Sequence, residues 1–361
     1  NNAEVFNQDL STKVVTVNGN TYTAWDTSSV NDMAFMFGDA DDFNQDIGNW
    51  NTSSVEETNN MFQRVFTFNQ DISTKVVTVG GNTYVAWNMS NVITMKAMFY
   101  ASTDFNGNIT NWDTSSVNNM NIMFRDAVSV NQDLNTKSVT VNGVTYNAWD
   151  VGTVTTMDSM FYNAKVFNQD LDNWNTSNAV DMGSMFLGAS DFNGNITNWD
   201  TSSLEQSNNM FQACVDFNQD INTKAVTVNG NTYTAWDMST VINARAMLRD
   251  TISFNQDIGN WDTSSMTDMG YLFDNAALFN QDISTKIVTV NGNTYTAWDT
   301  SSVTIMDNTF VDADSFNQDI SSWDFSSVTD IRSFMGGKTS ANYDATNYDN
   351  LLIKWDNAVG G

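Results

Sequence analysis

The chain has 361 residues and a formal net charge of −28, from 42 Asp plus Glu against 14 Lys plus Arg. Such a charge repels nucleic acid and anionic membranes. With no His and one Cys, the chain lacks the usual acid–base side chain and any intrachain disulfide. No apolar run approaches the roughly 20 residues of a membrane helix.

The pentad Phe6-Asn7-Gln8-Asp9-Leu10 returns at Phe43, Phe68, Phe105, Val130, Phe167, Phe192, Phe217, Phe254, Phe279 and Phe316. The intervals are 37 or 25 residues, so a long copy is a short copy plus twelve residues. A fixed period of about 20–50 residues marks an array whose units stack to bury a shared core. Residues 1–334 therefore read as a single solenoid of eleven coils, and residues 335–361 as a C-terminal capping segment. The sequence has no initiator Met, and Ala3 and Phe6 align with Ala40 and Phe43, as in an excerpt or a processed product.

The first long copy carries Lys13-Val14-Val15-Thr16-Val17-Asn18-Gly19-Asn20-Thr21-Tyr22-Thr23-Ala24-Trp25. Asn-Gly between β-rich arms predicts a hairpin, because a type I′ turn needs positive φ at both central residues. Hairpins are expected at 13–25, 75–87, 137–149, 224–236 and 286–298. The predicted register pairs Val17 with Asn20, Thr16 with Thr21, Val15 with Tyr22 and Val14 with Thr23. One face then carries Val15, Val17 and Tyr22, and the other carries Thr16 and Thr21. One two-stranded hairpin per two coils could tile a second sheet, with a fault at the consecutive short copies of Phe167 and Phe192.

The short copy from Phe43 predicts a strand over 43–47, with Phe43 and Ile47 inward, and a second inward anchor at Trp50. Asn51, and Asp26, Asp113, Asp200, Asp262 or Asp299 in other copies, opens a turn before Thr-Ser-Ser. Val30, Met33, Met36 and Phe37 then follow at the spacing of one or two tight helical turns, as do Val117, Met120, Met123 and Phe124. The Met and Phe stripe and the Trp column read as core. The expected fold is a leucine-rich-repeat-like solenoid, with one short parallel strand and a helical or 3-10 turn per coil. Residues such as Asn44 and Gln45 would stack as amide ladders.

FNQDI, then Trp, then Asp-Thr-Ser-Ser-Val and Met-Phe resembles the roughly 26-residue repeat of mycoplasmal and other bacterial surface proteins, a family similar to BspA-type leucine-rich repeats. The resemblance covers about residues 3–334, and Asn347–Trp355 is similar to the family's terminal segment. It implies a leucine-rich-repeat-like fold on a cell surface, adhesive or unknown roles, and no shared catalytic residues. The twelve-residue insertion departs from the common short repeat.

Asp9, Asp46, Asp71, Asp133, Asp170, Asp220, Asp257, Asp282 and Asp319 share one place in the coil, which Asn108 and Asn195 take elsewhere. Stacked carboxylates repel, so they are expected to be hydrated, bonded to turn backbone, or bridged by cations. Calcium, which takes flexible oxygen cages, is the candidate ion, and no other cofactor is implied. Lys13, Lys75, Lys137, Lys224 and Lys286 sit at the hairpin bases, where they offset neighbouring Asp charge and protect strand edges. Cys214, in a small-residue stretch, reads as a packed apolar group. Sequons at Asn51, Asn88, Asn108, Asn175 and Asn195 follow from repetition.

No Ser–His–Asp set, metal-ligand cluster or phosphate loop is present, so the chain reads as no enzyme. The expected function is an extracellular structural or adhesive surface repeat protein, with weak contacts added by multivalency. A sharper version is a protomer that assembles with itself end to end into filaments. The alternative is a recognition module binding glycans or a host protein. Its surface candidates are Thr16 with Thr21, Thr78 with Thr83, Thr140 with Thr145, Thr227 with Thr232 and Thr289 with Thr294. Ice binding is a third reading, though Val85 and Asn147 break the Thr-x-Thr pattern. Partners are the chain itself or a cell-surface protein or glycan, with no nucleic acid and no membrane insertion.

Overall fold

The computed structural model describes residues 3–359, with side chains as far as Asp356. The outermost positions of the two segments assigned from sequence, residues 1–2 and 360–361, lie outside the described residues. The chain divides into two compact units, Asn1–Asn175 and Thr176–Gly361.

Ten strands pair as five hairpins. In the first unit these are β1 (Lys13–Val17) with β2 (Asn20–Ala24), β3 (Lys75–Val79) with β4 (Asn82–Ala86), and β5 (Lys137–Val141) with β6 (Val144–Ala148). In the second they are β7 (Lys224–Val228) with β8 (Asn231–Ala235), and β9 (Lys286–Val290) with β10 (Asn293–Ala297). Asn18 and Gly19 have φ of 51° and 82°, as the type I′ turn requires. The register is the expected one, Thr16 opposite Thr21 and Val15 opposite Tyr22.

From Phe43 onward the copies contribute equivalent buried residues, whereas Trp25 and Met36 of the first copy, expected in the core, are 46% and 40% exposed. Phe43, Ile47, Trp50, Met61, Phe62 and Phe68 have no exposure, and their equivalents recur through both units. Stacked Phe rings fix the copy spacing, with Phe43–Phe68 at 5.9 Å and Phe68–Phe105 at 6.0 Å. A buried indole N–H needs an acceptor. Trp50 Nε1 finds the Leu10 carbonyl at 2.9 Å and Trp87 Nε1 the Ile47 carbonyl at 2.9 Å, each in the copy before. In the second unit Trp261 reaches Ile221 in the same way at 2.8 Å.

The expected leucine-rich-repeat-like coil, with a parallel strand and a helical turn, is not what the chain forms. Among the described residues the strands belong to the hairpins, and the single helix is α1 (Ala345–Val359). The FNQDI segments fail as strands because an Asn side chain stands between neighbours. The Asn44 N–H donates to Asn7 Oδ1 at 3.1 Å and the Asn69 N–H to Asn44 Oδ1 at 3.0 Å. Gln70 Nε2 adds a bond to the same Asn44 Oδ1 at 2.8 Å. The amide ladder expected from the sequence is thus present, and it replaces the backbone ladder.

The apolar set after each Trp is not helical either. Its backbone runs through successive turns with left-handed residues four apart, such as Phe35 (φ 57°) and Asp39 (φ 60°). The N–H groups of Met36, Gly38 and Ala40 close turns on the carbonyls three residues back. Those of Met33, Phe35, Phe37 and Asp39 instead donate to Glu57, Asn59, Met61 and Gln63 of the next copy, at 2.9 Å each. A helix spends all these groups on itself; here half of them join copies. Among the described residues this gives single parallel bridges, Asp32–Glu57–Thr94–Asn119–Thr156 in one unit and Asp181–Gln206–Asn243–Asp268–Ile305–Asp330 in the other.

Among the described residues the second sheet is also absent: the hairpins are five separate two-stranded sheets. Neighbours meet through side chains. A Cβ on Gly80, in the second hairpin's turn, would run into Val14 of the first. Asn291, at the same turn position of the last hairpin, donates to Thr234 Oγ1 at 3.4 Å. A turn resting on the face of the preceding hairpin leaves no strand edges opposed.

Helix α1 is preceded by Asp344, whose carboxylate accepts the Thr346 N–H at 2.7 Å as an N-cap. It lies against the last copy, with Trp355 5.5 Å from Phe325 and Leu351 buried. Asn350 Nδ2 donates to Asp319 Oδ2 at 3.0 Å. Among the described residues no helix is long and apolar enough to cross a membrane.

Candidate functional site: the hairpin faces

The hairpins are the one part of the repeat held outside the core, and their two faces differ. The inner face is anchored by tyrosine. Tyr84 donates its hydroxyl to the Asn49 carbonyl at 2.6 Å, and Tyr146 does the same to Asn111 at 2.6 Å. In the second unit Tyr233 reaches Asn198 at 2.6 Å and Tyr295 reaches Asn260 at 2.5 Å. Each hairpin therefore leans back on the short copy before it. Burial raises these phenols, Tyr295 up to about 12 with help from the carboxylates of Asp262 and Asp237. Tyr22 has no such acceptor among the described residues and is 51% exposed.

The outer face carries the threonine pairs. Thr16 and Thr21 share a hydroxyl hydrogen bond at 3.0 Å. The pairs Thr78–Thr83, Thr140–Thr145, Thr227–Thr232 and Thr289–Thr294 do so at 2.8 Å. All ten hydroxyl-bearing residues are exposed. Each pair sits directly opposite in register, where cross-strand Thr pairs stabilise a two-stranded ribbon.

The hairpin bases hold the lysines and the Asp column together. Lys13–Asp9, Lys75–Asp71, Lys137–Asp133, Lys224–Asp220 and Lys286–Asp282 are ion pairs at 2.5 to 3.1 Å. The other carboxylate oxygen accepts a backbone N–H two residues on, as Asp282 does from Ser284 at 2.9 Å. Asp9, Asp71, Asp133 and Asp220 repeat this, and Asp46, Asp257 and Asp319 do so without a lysine. Asp170 also has an interaction partner. Asn108 and Asn195 make the same bond to Thr110 and Thr197, which a neutral amide oxygen can do. The column's common task is closing a turn. Hydrogen bonds from Lys13 and Ser11 hold the Asp9 carboxyl well below its usual range.

These carboxylates stand one to a copy. Among the described residues no three His, Cys, Asp or Glu side chains gather to hold a metal ion. Cys214 is buried, its thiol donates to the Phe186 carbonyl at 2.9 Å, and burial pushes its pKa far up.

Two features escaped the sequence reading. One is the tyrosine anchor, whose place on the inner face was legible but whose acceptor was not. The other is Arg245, paired with Asp307 at 2.9 Å and lying 4.7 Å from the Tyr271 ring. A rare arginine in so acidic a chain was the available signal.

Four segments of the chain, residues 1–85, 78–146, 136–234 and 223–348, match one family model, described as Mycoplasma protein of unknown function, DUF285. No curated protein and no solved structure matches the chain.

Proposed function

Because the chain belongs to the family described as Mycoplasma protein of unknown function, DUF285, we propose that it is a repeat protein of the cell exterior that adheres through its hairpins. The observation that carries this reading is the division of labour between the hairpin faces. Tyrosine bonds fix four hairpins to the body, and every hairpin presents an exposed Thr pair outward. A contact that is weak at one hairpin gains by effective concentration when several engage together. The carboxylate-rich surface keeps such a protein soluble and turns it from anionic partners. End-to-end assembly has less support, because α1 lies over the last copy and any joint there would have to run through it.

The test is adhesion of beads carrying the 361-residue chain to host-cell monolayers. Shortening two long copies to the short form removes two hairpins. Adhesion should fall by more than the share of hairpins removed. Beads that never adhere, or that adhere equally after the deletions, would sink the reading.

A further inference from the structure

The second hairpin, β3–β4, leans over the copy before it and leaves a cavity of about 240 Å³ beneath. Its walls come from β2 of the first hairpin, from the turns after Trp25 and Trp50, and from the underside of β3–β4, and include Thr23, Asp26, Asn51, Val79, Asn82 and Tyr84. We infer that this cavity is a binding site for an uncharged hexose ring. The inference rests on the adhesive reading and gives it a ligand class.

The lining chemistry carries the choice. The walls are hydroxyls and amides with one aliphatic side chain, Val79, one aromatic and one carboxylate, and no cation lines them. Asp26 spends Oδ1 on the Ser28 N–H at 3.0 Å. Asn51 spends Oδ1 on the Ser53 N–H at 3.1 Å, and its Nδ2 has no acceptor among the described residues. The side chains of Thr23 and Asn82 likewise have no hydrogen-bond partner there. Donors and acceptors thus remain on both walls, spaced around a ring-sized gap beside Tyr84. An anion meets Asp26 and finds no counter-charge. An ammonium finds only one, well-solvated carboxylate. A neutral polyol uses every group, and sites built to hydrogen-bond hydroxyls discriminate strongly for them. The volume falls below the range of about 300–1,000 Å³ common for larger ligands, which suits a single sugar ring.

The chain supplies its own control. At the places of Thr23, Asp26 and Asn82, the copies around the third hairpin carry Val85, Asn88 and Val144. The turn also differs. Gly80 stands where the last hairpin has Asn291, whose side chain reaches across to Thr234. The space under β3–β4 is therefore polar, and its mouth lacks that crossing amide.

Saturation-transfer difference NMR on the 361-residue chain, with methyl glucoside, methyl galactoside and methyl N-acetylglucosaminide as separate probes, tests the site. At least one probe should bind with a millimolar Kd. The variant Thr23→Val/Asp26→Asn/Asn82→Val borrows residues the fold already accepts, so its Tm should hold while hexoside affinity drops about tenfold or more. No hexoside signal, a signal unchanged in the variant, or binding of tetramethylammonium in place of hexosides overturns the assignment. The bead assay separates the two readings. Beads that adhere while the chain ignores hexosides defeat the pocket alone, and a chain that binds hexosides without adhering defeats adhesion alone.

Discussion

The guanidinium of Arg245 crosses the copy that follows its own and holds Asp307, two copies along, with Nη1 and Nη2 at 2.9 and 3.3 Å from the carboxylate oxygens. The bridge passes over Gly270, where a Cβ would collide with both partners. The repeat does not dictate this bond: the same coil position carries Asp158 and Arg332 in other copies, and Ala34, Asn59 or Gly183 elsewhere. The Asp307 side chain is only 4% exposed, so the pair is nearly dry on its acid side.

Arg245→Met should therefore cost about 3 kcal/mol, because it strands a buried carboxylate. The double variant Arg245→Met/Asp307→Asn should recover more than half of that loss. Urea unfolding midpoints decide the matter; an unchanged midpoint in the single variant refutes the bridge.

Acid and alkali should attack different parts of the hairpins. Burial alone would raise the Asp282 carboxyl, but hydrogen bonds from Lys286 and Ser284 outweigh it and bring it down to about 2. Its folded pKa lies below the unfolded one, near 3.9. Its contribution is complete above that value and is lost as pH falls through 2. Tyr295 runs the other way: burial first, then Asp262 and Asp237, push it up to about 12. Its contribution is complete below pH about 10, the unfolded value, and is lost as pH rises through 12. Tm measured against pH should show a flatter acid limb in Lys286→Met and a flatter alkaline limb in Tyr295→Phe.

Tyr146→Phe removes a 2.6 Å bond to the Asn111 carbonyl and nothing else from the hairpin's anchor. The net loss is about 1 kcal/mol. Amide exchange over Lys137–Ala148 should quicken about fivefold while the indole-bonded core beside Trp149 keeps its rate. Uniform acceleration across the first unit would show that the hairpin does not open by itself.

Ile122 sits in the left-handed region at φ 50°, a costly place for a β-branched side chain. Asn60, Asn209 and Asn308 occupy the equivalent place in other copies. Ile122→Asn should raise stability by about 1 kcal/mol, read as a higher Tm. A lower Tm would mean that the half-buried Ile122 side chain outweighs the backbone strain.

How much of this was legible in the sequence differs by element. The hairpins were, because Asn18-Gly19 and its equivalents announce their own backbone geometry and the Thr and Tyr faces follow by alternation. The inward Phe, Trp and Met residues were legible too from the second copy on, since repetition at fixed intervals marks what stacked copies bury, but Trp25 and Met36 of the first copy are exposed. The local backbone was not. Phe43–Ile47 alternates like a strand, yet Asn44 interposes its side chain, a choice that alternation does not encode. Val30, Met33 and Phe37 are spaced like a helix, yet Phe35, Ile122 and Tyr271 turn left-handed without a glycine to warn of it. The hydroxyl pairing of the Thr sites was readable only as proximity, and the cavity under β3–β4 depends on how the hairpin leans.

In the turn runs of each unit, the N–H groups of Met33, Phe35, Phe37 and Asp39, and those of their equivalents, all point toward the later copy. Ordinary strands alternate this direction and cancel it. Here the same set of donors meets the same set of acceptors at joint after joint. A whole copy can be duplicated or lost within such a run, and the flanking copies still fit each other. Unequal recombination thus changes the number of copies in a run without inventing a new interface, provided that nothing breaks the direction in which it is written.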